Sequence, residues 1–368
     1  EALQHGNVSS PIPDTGPRLA GLVRSVIRPL GPTLLEVPDR RTDVAMLESF
    51  SSQMFYGGAT YGSMRTPVGR MHAILCRAHL QPDIVYDETI LRDGLDQYNV
   101  LVAPVCAVLT EGVASRIQQW QNNGGILVAD ELLVPRLMPD LLITSCSSSD
   151  KGDLVAKAVE VREQLSGAYT PYGDADTADA ILRFRAFGAT DYLFVVNDSR
   201  TYGDYVGQYR RVMEKGQPLE TSVVVRRSRG TVYDLEKGRL VPSKQNGKEL
   251  CFSAKLGGGD GGLYMITERP IADVAVDVPE GATRGKEMSV AIAVRDAAGE
   301  LIDAVVPVRV DITDPEGNAA EFSGWYAATG GKLALELNVA PNDAVGTWTV
   351  AVRELASGLT ATRELQVQ

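Results

Sequence analysis

The sequence predicts an α/β domain built on a parallel sheet, followed by two all-β domains. Three observations carry this. Residues 43–131 alternate short apolar runs with segments of helical period, a last helical pattern occupies 151–167, and beyond it every apolar run is short and bounded by turns. With 368 residues the chain has room for two or three domains that each bury a core. Hydrophobic residues at 44% and charged residues at 23% are the proportions of ordinary folded protein, which excludes a disordered or fibrous chain.

Residues 1–40 read as a Pro/Gly-rich linker carrying one helix, LAGLVRSVIRPL. In 41–168 the runs DVAMLESF, PVGRMHAILCRAHL, DIVYDET, NVLVAPVC, TEGVASRIQQWQ and GILVADE give the order β-α-β-β-α-β. Thr66-Pro67 marks one helix start, and Asn123-Gly124-Gly125 ends the helix that begins near Thr110. Over 169–270 the runs AILRFRAF, DYLFVVND, TSVVVRR, TVYDL, LCFSA and LYMITE, with turns at Leu235–Gly238 and Gly257–Gly262, predict a small antiparallel β-sandwich. In 271–368 seven alternating strands about 10–15 residues apart suit an immunoglobulin-like sandwich.

Lys plus Arg number 36 against 47 Asp plus Glu, so a net charge of −11 turns the chain away from nucleic acid and from anionic membrane surfaces. No apolar run approaches the ~20 residues that cross a bilayer, and the opening EALQHGNVSSPIPD has neither a basic start nor an apolar core. The expectation is a soluble chain without signal peptide or anchor, its compartment open and a secreted or periplasmic origin allowed. Because it begins with Glu1, a processed or excised piece is expected. The four cysteines, Cys76, Cys106, Cys146 and Cys251, lie far apart without a C-x-x-C, and His5, His72 and His79 have no ligand spacing. Buried thiols, no metal and no cofactor are expected.

A nucleophile elbow needs small residues around the nucleophile. Cys76 sits inside a helical pattern, Cys106 follows its strand without flanking glycines, and no G-x-S-x-G occurs. The G-x-G-x-x-G match at Gly257, Gly259 and Gly262 leads into a strand, whereas dinucleotide binding needs it to open a helix. A (β/α)₈ barrel takes about 250 alternating residues, more than the alternating stretch supplies. The acidic run Asp174, Asp176, Asp179 reads as a solvated helix entry, and DITDPEGNAAE over Asp311–Glu321 as a turn between strands. In a flavodoxin-like strand order, ligands gather at the carboxyl ends of the strands, between the loops after the first and third. Those loops are Ser51–Thr66 and Pro104–Thr110, with Asp130 and Glu131 ending the fourth strand. Tyr56, Tyr61 and Arg65 would supply aromatic faces and a donor fork there, for a small ligand or a protein interface. On the last sandwich, Trp325 and Tyr326 are candidates for sugar stacking, although a strand sends one of such a pair inward.

Two segments carry a family resemblance. TDVAMLESFSSQMFYGG, followed by DIVYDETILRDGLDQYNVLVAPVCAVLTEGVASRIQQWQNNGGILVADE, resembles the glutamine-amidotransferase-like trimerisation domain of family-42 β-galactosidases, over about a hundred residues. TVYDLEKGRLVP with LGGGDGGLYMI is similar to the β-sandwich that closes many sugar-cleaving enzymes, and the final hundred residues resemble bacterial immunoglobulin-like modules. The resemblance implies a cyclic trimer built through the α/β domain, the loss of the amidotransferase nucleophile, and a preceding catalytic barrel whose proton donor follows an asparagine. This chain has no Asn-Glu dipeptide, so no catalytic residue carries over to any position. The reading is a non-catalytic accessory and oligomerisation region of a β-galactosidase-like glycoside hydrolase. On its own it is expected to associate weakly. The alternatives are a carbohydrate-binding or cell-surface adhesion protein and, third, a degenerate amidotransferase-like hydrolase.

Overall fold

A helix broken by prolines comes first in the computed structural model, which describes residues 15–55, 65–206 and 212–368. Thr15–Leu22 (α1) runs through a π turn at Val23–Ile27 into Arg28–Glu36 (α2). Pro29 and Pro32 each withhold an N–H from the helical ladder, which widens just before them. Leu30 and Val37 are buried. Contacts divide the chain into two units, one of residues 41–183 with 196–225, the other of the N-terminal segment to Arg40 with 184–195 and 226–368.

The first unit holds the parallel sheet, made of Val44–Glu48 (β1), Asp83–Tyr86 (β2), Val100–Ala103 (β3), Ile126–Ala129 (β4) and Leu141–Leu142 (β5). Its order is β2-β1-β3-β4-β5 with every pairing parallel. That is the flavodoxin-like order. The inner strands β1, β3 and β4 are apolar almost throughout because both their faces are covered. Val44, Met46, Val100, Val102 and Val128 face one core, with Arg65–Arg77 (α4) and Lys151–Leu165 (α7). Ala45, Leu47, Leu101, Ala103 and Leu127 face the other, with Asp87–Asp93 (α5) and Glu111–Asn122 (α6). A short helix, Phe50–Phe55 (α3), follows β1. Thr110 caps α6 by accepting from the Val113 N–H, and Gly124 leaves it in the left-handed region at φ +101°.

Three local expectations need correction. α5 separates β2 from β3, which the sequence reading placed back to back; at seven residues, with Ile90 its buried apolar side chain, it is too short to display a period. Its acidic start, Asp87 and Glu88, and Arg92 in its last turn match the helix dipole. β5 escaped notice because it has two residues. The acidic run is no helix entry, since Gly173–Ala175 is a strand. Asp174 meets His79 Nδ1 at 2.6 Å and the Arg162 guanidinium, Asp176 accepts from Thr221 Oγ1 at 2.5 Å, and Asp179 pairs with Lys151 at 2.8 Å. His79 itself occupies the left-handed position after α4 at φ +58°, with its N–H on Cys76 O and the Leu80 N–H on Leu75 O.

In the second unit Arg239–Val241, Thr231–Asp234 and Gly261–Thr267 pair in that order, and Ser243–Asn246 pairs with Glu249–Leu256. Gly257–Asp260 joins two strands, so the glycine motif is a loop without a helix behind it. The last hundred residues form all seven expected strands plus the short Gly281–Ala282. Hydrogen bonding links them into one run rather than two separate sheets, because Thr329 and Lys332 pair at the corner between Gly324–Thr329 and Lys332–Asn338. That single pair lets the run fold into layers of three and five strands, Gly281–Ala282 being the short fifth, with Val290, Ile292 and Val294 in one core with Val308, Val310 and Val350. Gly330 and Gly331 make the turn at φ +60° and +73°, as a type I′ hairpin requires.

Candidate functional site at the carboxyl end of the parallel sheet

Ligands of open α/β sheets collect where strand order reverses, here between β1 and β3 at their carboxyl ends. The first four strands each deliver a polar residue to that end: Ser49 after β1, Asp87 after β2, Cys106 after β3 and Asp130 after β4. All four are buried. Asp87 Oδ2 accepts from the Ser51 N–H at 2.9 Å and from Ser49 Oγ at 3.2 Å. Ser52 Oγ donates to Val108 O at 2.6 Å and accepts the Val108 N–H at 3.1 Å. The Asp87 bonds tie the first turn of α3 to the start of α5, and the Ser52 bonds tie it to the loop after β3.

Asp130 accepts the Val105 N–H at 2.8 Å and the Leu132 N–H at 3.1 Å. Val105 stands at φ +54°, a left-handed conformation that β-branched residues rarely adopt. The carboxylate therefore braces a strained turn. Burial raises the Asp130 carboxyl above its usual range, against the two N–H donors. Burial first, and then the charges of Asp130 and Asp87, push the Cys106 thiol well above its usual range. The thiol points at Pro104 O, 3.5 Å away. It is a neutral group in a packed position; Asp130 serves main-chain donors, while Asp87 Oδ1 is buried without a hydrogen-bond partner among the described residues.

Of the residues expected at this crevice, Tyr56 and Tyr61 lie outside the described residues, and of Arg65 the structure describes its place at the start of α4. Asp130 and Glu131 part company. Glu131 is exposed and accepts from Ser145 Oγ and, at 2.9 Å, from the Ser145 N–H; these bonds hold its carboxyl below the usual range. Asp87, Ser49 and Ser52 were missed. A polar residue directly after an apolar run, as in DIVY-Asp87, is the signal that would have found the first of them. Among the described residues no group of three or more His, Cys, Asp or Glu is placed to hold a metal ion.

Trp325 and Tyr326 are both half-buried and make different contacts. Tyr326 packs against the core and donates from its hydroxyl to Phe322 O at 2.7 Å. Trp325 carries the Arg309 guanidinium 4.5 Å from its ring centroid, and the two residues pair across adjacent strands.

No protein-family model matches this chain, and no curated protein matches it significantly. Among solved structures it is similar to α-L-fucosidase isoenzyme 2 from Paenibacillus thiaminolyticus, at 12% identity and a TM-score of 0.48, over 68% of this chain and 51% of that one. It is also similar to a β-galactosidase from Bacillus circulans sp. alkalophilus, at 13% identity and a TM-score of 0.45, over 68% and 45% of the two chains. A GH42 β-galactosidase from G. stearothermophilus matches at 13% identity and a TM-score of 0.38, over 62% and 40%. The chain thus spans about half or less of the length of these structures.

Proposed function

We propose that this chain is a non-catalytic accessory and self-association region of a β-galactosidase-like glycoside hydrolase. The observation that carries the reading is the state of Cys106. At the place where an α/β domain would present a nucleophile, the thiol is buried and held protonated, Asp130 accepts two main-chain N–H groups, and Asp87 accepts the Ser51 N–H and the Ser49 hydroxyl. A thiol held in this state favours a domain that acts through its surface. Consistent with that, β2 is an edge strand that leaves Ile84 and Tyr86 44% and 47% exposed, and Phe50, beside the Ser51 N–H that Asp87 receives, is 55% exposed. Apolar groups along an open sheet edge favour association with another protein surface. The sequence resemblance to a trimerisation domain supplies the partner, further copies of the same chain.

Incubation of the purified chain with nitrophenyl glycosides tests the non-catalytic half. No turnover is expected, and hydrolysis abolished by a point substitution within the chain would overturn it. Sedimentation at micromolar concentration tests the other half. A loose, concentration-dependent oligomer is expected, weakened by Ile84→Glu with Tyr86→Glu; an unchanged sedimentation profile for that variant would remove this edge from the interface.

A further inference from the structure

A second open edge lies in the C-terminal sandwich. Asp273–Asp277 pairs antiparallel with Glu287–Arg295, from Asp273 with Arg295 to Asp277 with Ala291. Continued in the same register, residue 279 would face Ser289 and residue 281 would face Glu287. The chain does not continue. Position 279 is a proline, which has no N–H to give to a ladder, and Gly281 and Ala282 pair instead with Gln366 and Val367 of the opposite layer. Residues 287–290 are therefore bonded to Lys332–Asn338 on one side and, among the described residues, have no strand on the other.

Alternation decides which groups face that gap. Val294 donates its N–H to Gly331 on the side of Lys332–Asn338, and Arg295 O accepts from Ala272 on the opposite side. Odd-numbered residues thus turn their main-chain groups to the vacated side, which puts the N–H and C=O of Glu287 and Ser289 on the open edge. Beside them is a groove of about 540 Å³, floored by the buried Met288 and Ala282 and rimmed by Asp277, Lys286 and Glu287.

We propose that this edge binds an extended peptide of a partner protein as an added strand, antiparallel to Glu287–Arg295 and in line with Asp273–Asp277. The segment already on the edge shows the pattern accepted there. Val274 and Val276 point inward and Asp273 and Asp277 outward. In the gap, one apolar side chain of the partner lies over Met288 and Ala282. The side chains on either side of it point outward, opposite Ser289 and Glu287. Two acids to one lysine on the rim, in a chain of net charge −11, select basic residues at those outward places. Main-chain pairing supplies the affinity and the groove the choice of side chain.

The probe is the peptide acetyl-Thr-Lys-Val-Lys-Thr-amide, titrated into the full chain with the amide chemical shifts of Glu287 and Ser289 as readout. Saturable binding in the ~0.1–1 mM range is expected for so short a contact. N-methylation of both lysine nitrogens removes the ladder donors and weakens binding about tenfold or more. The Ser289→Pro variant, tolerated because that N–H faces outward, loses binding to the same degree. Equal binding of the methylated peptide would reduce the contact to charge attraction and overturn the proposal, whether or not the proline variant folds. So would no saturable binding up to several millimolar. Concentration-dependent self-association lost in Ser289→Pro would assign the edge to a second copy instead.

Discussion

Glu354→Ala is expected to unfold the turn that closes the last two strands of the C-terminal sandwich. Glu354 ends Gly346–Glu354 and is fully buried. Its carboxylate accepts the N–H groups of Ala356 at 2.8 Å, Ser357 at 2.9 Å and Leu359 at 3.0 Å, and the Ser357 hydroxyl. The turn that leads to Thr360–Val367 is in effect wound around this one side chain. Hydrogen bonds to a charged group contribute roughly 1.5–3 kcal/mol each, and a buried donor left unmade costs roughly 1–3 kcal/mol. The four contacts are not additive, because water can reach the exposed Leu359 end of the turn while Ala356 is buried. A loss of roughly 3–5 kcal/mol follows, which lowers Tm by roughly 6–20 °C. Glu354→Gln keeps one oxygen and turns an amide N–H₂ toward donors, so it should cost less, roughly 1.5–3 kcal/mol. Ser357→Ala should cost about 1 kcal/mol. Urea unfolding of the four proteins, with slopes compared as well as midpoints, reads the series. A Glu354→Ala protein within about 1 kcal/mol of the parent at unchanged slope would refute the view that the carboxylate organises the turn.

The His79 hydrogen bond and the nearby Arg162 and His79 charges outweigh burial and hold the Asp174 carboxyl below its usual range. A depressed carboxyl contributes stability above its unfolded-state pKa and loses it as pH falls through the folded-state value. Denaturant midpoints should therefore fall from about pH 4 downward, less steeply in Asp174→Asn; equal slopes in the two proteins would exclude this carboxyl as a source. In the folded protein the half-exposed Cys146 and Cys251 should be alkylated before Cys106, as peptide mass mapping of a time course would show; early labelling of Cys106 would contradict its burial. Gly331→Ala should cost clearly more than Gly299→Ala in thermal melts. Both positions are left-handed, at φ +73° and +82°, a penalty of roughly 1–2 kcal/mol, but an added Cβ at 331 would lie 2.7 Å from Ile302 O while at 299 it meets open space. Equal melting temperatures would show that the corner hairpin yields.

Local chemistry decided much of this protein without help from the fold. The strand runs, the Thr110 cap, the glycine after α6 and the seven strands of the last domain are readable because each depends on neighbours within a few residues. α5 escaped because two turns of helix show no period, and the acidic run was misread because three aspartates on a short segment look the same whether they meet water or cations. Tertiary structure alone decided the rest. Asp174 meets a histidine 95 positions away, Asp130 braces a turn 25 positions back, and Asp87 reaches Ser51 across 36. The open edge at Glu287 and Ser289 exists because the preceding segment leaves at Pro279 for a strand more than eighty residues later. Such pairings follow from strand order and register, which depend on how whole faces pack, and packing between distant segments leaves no periodic trace along the chain.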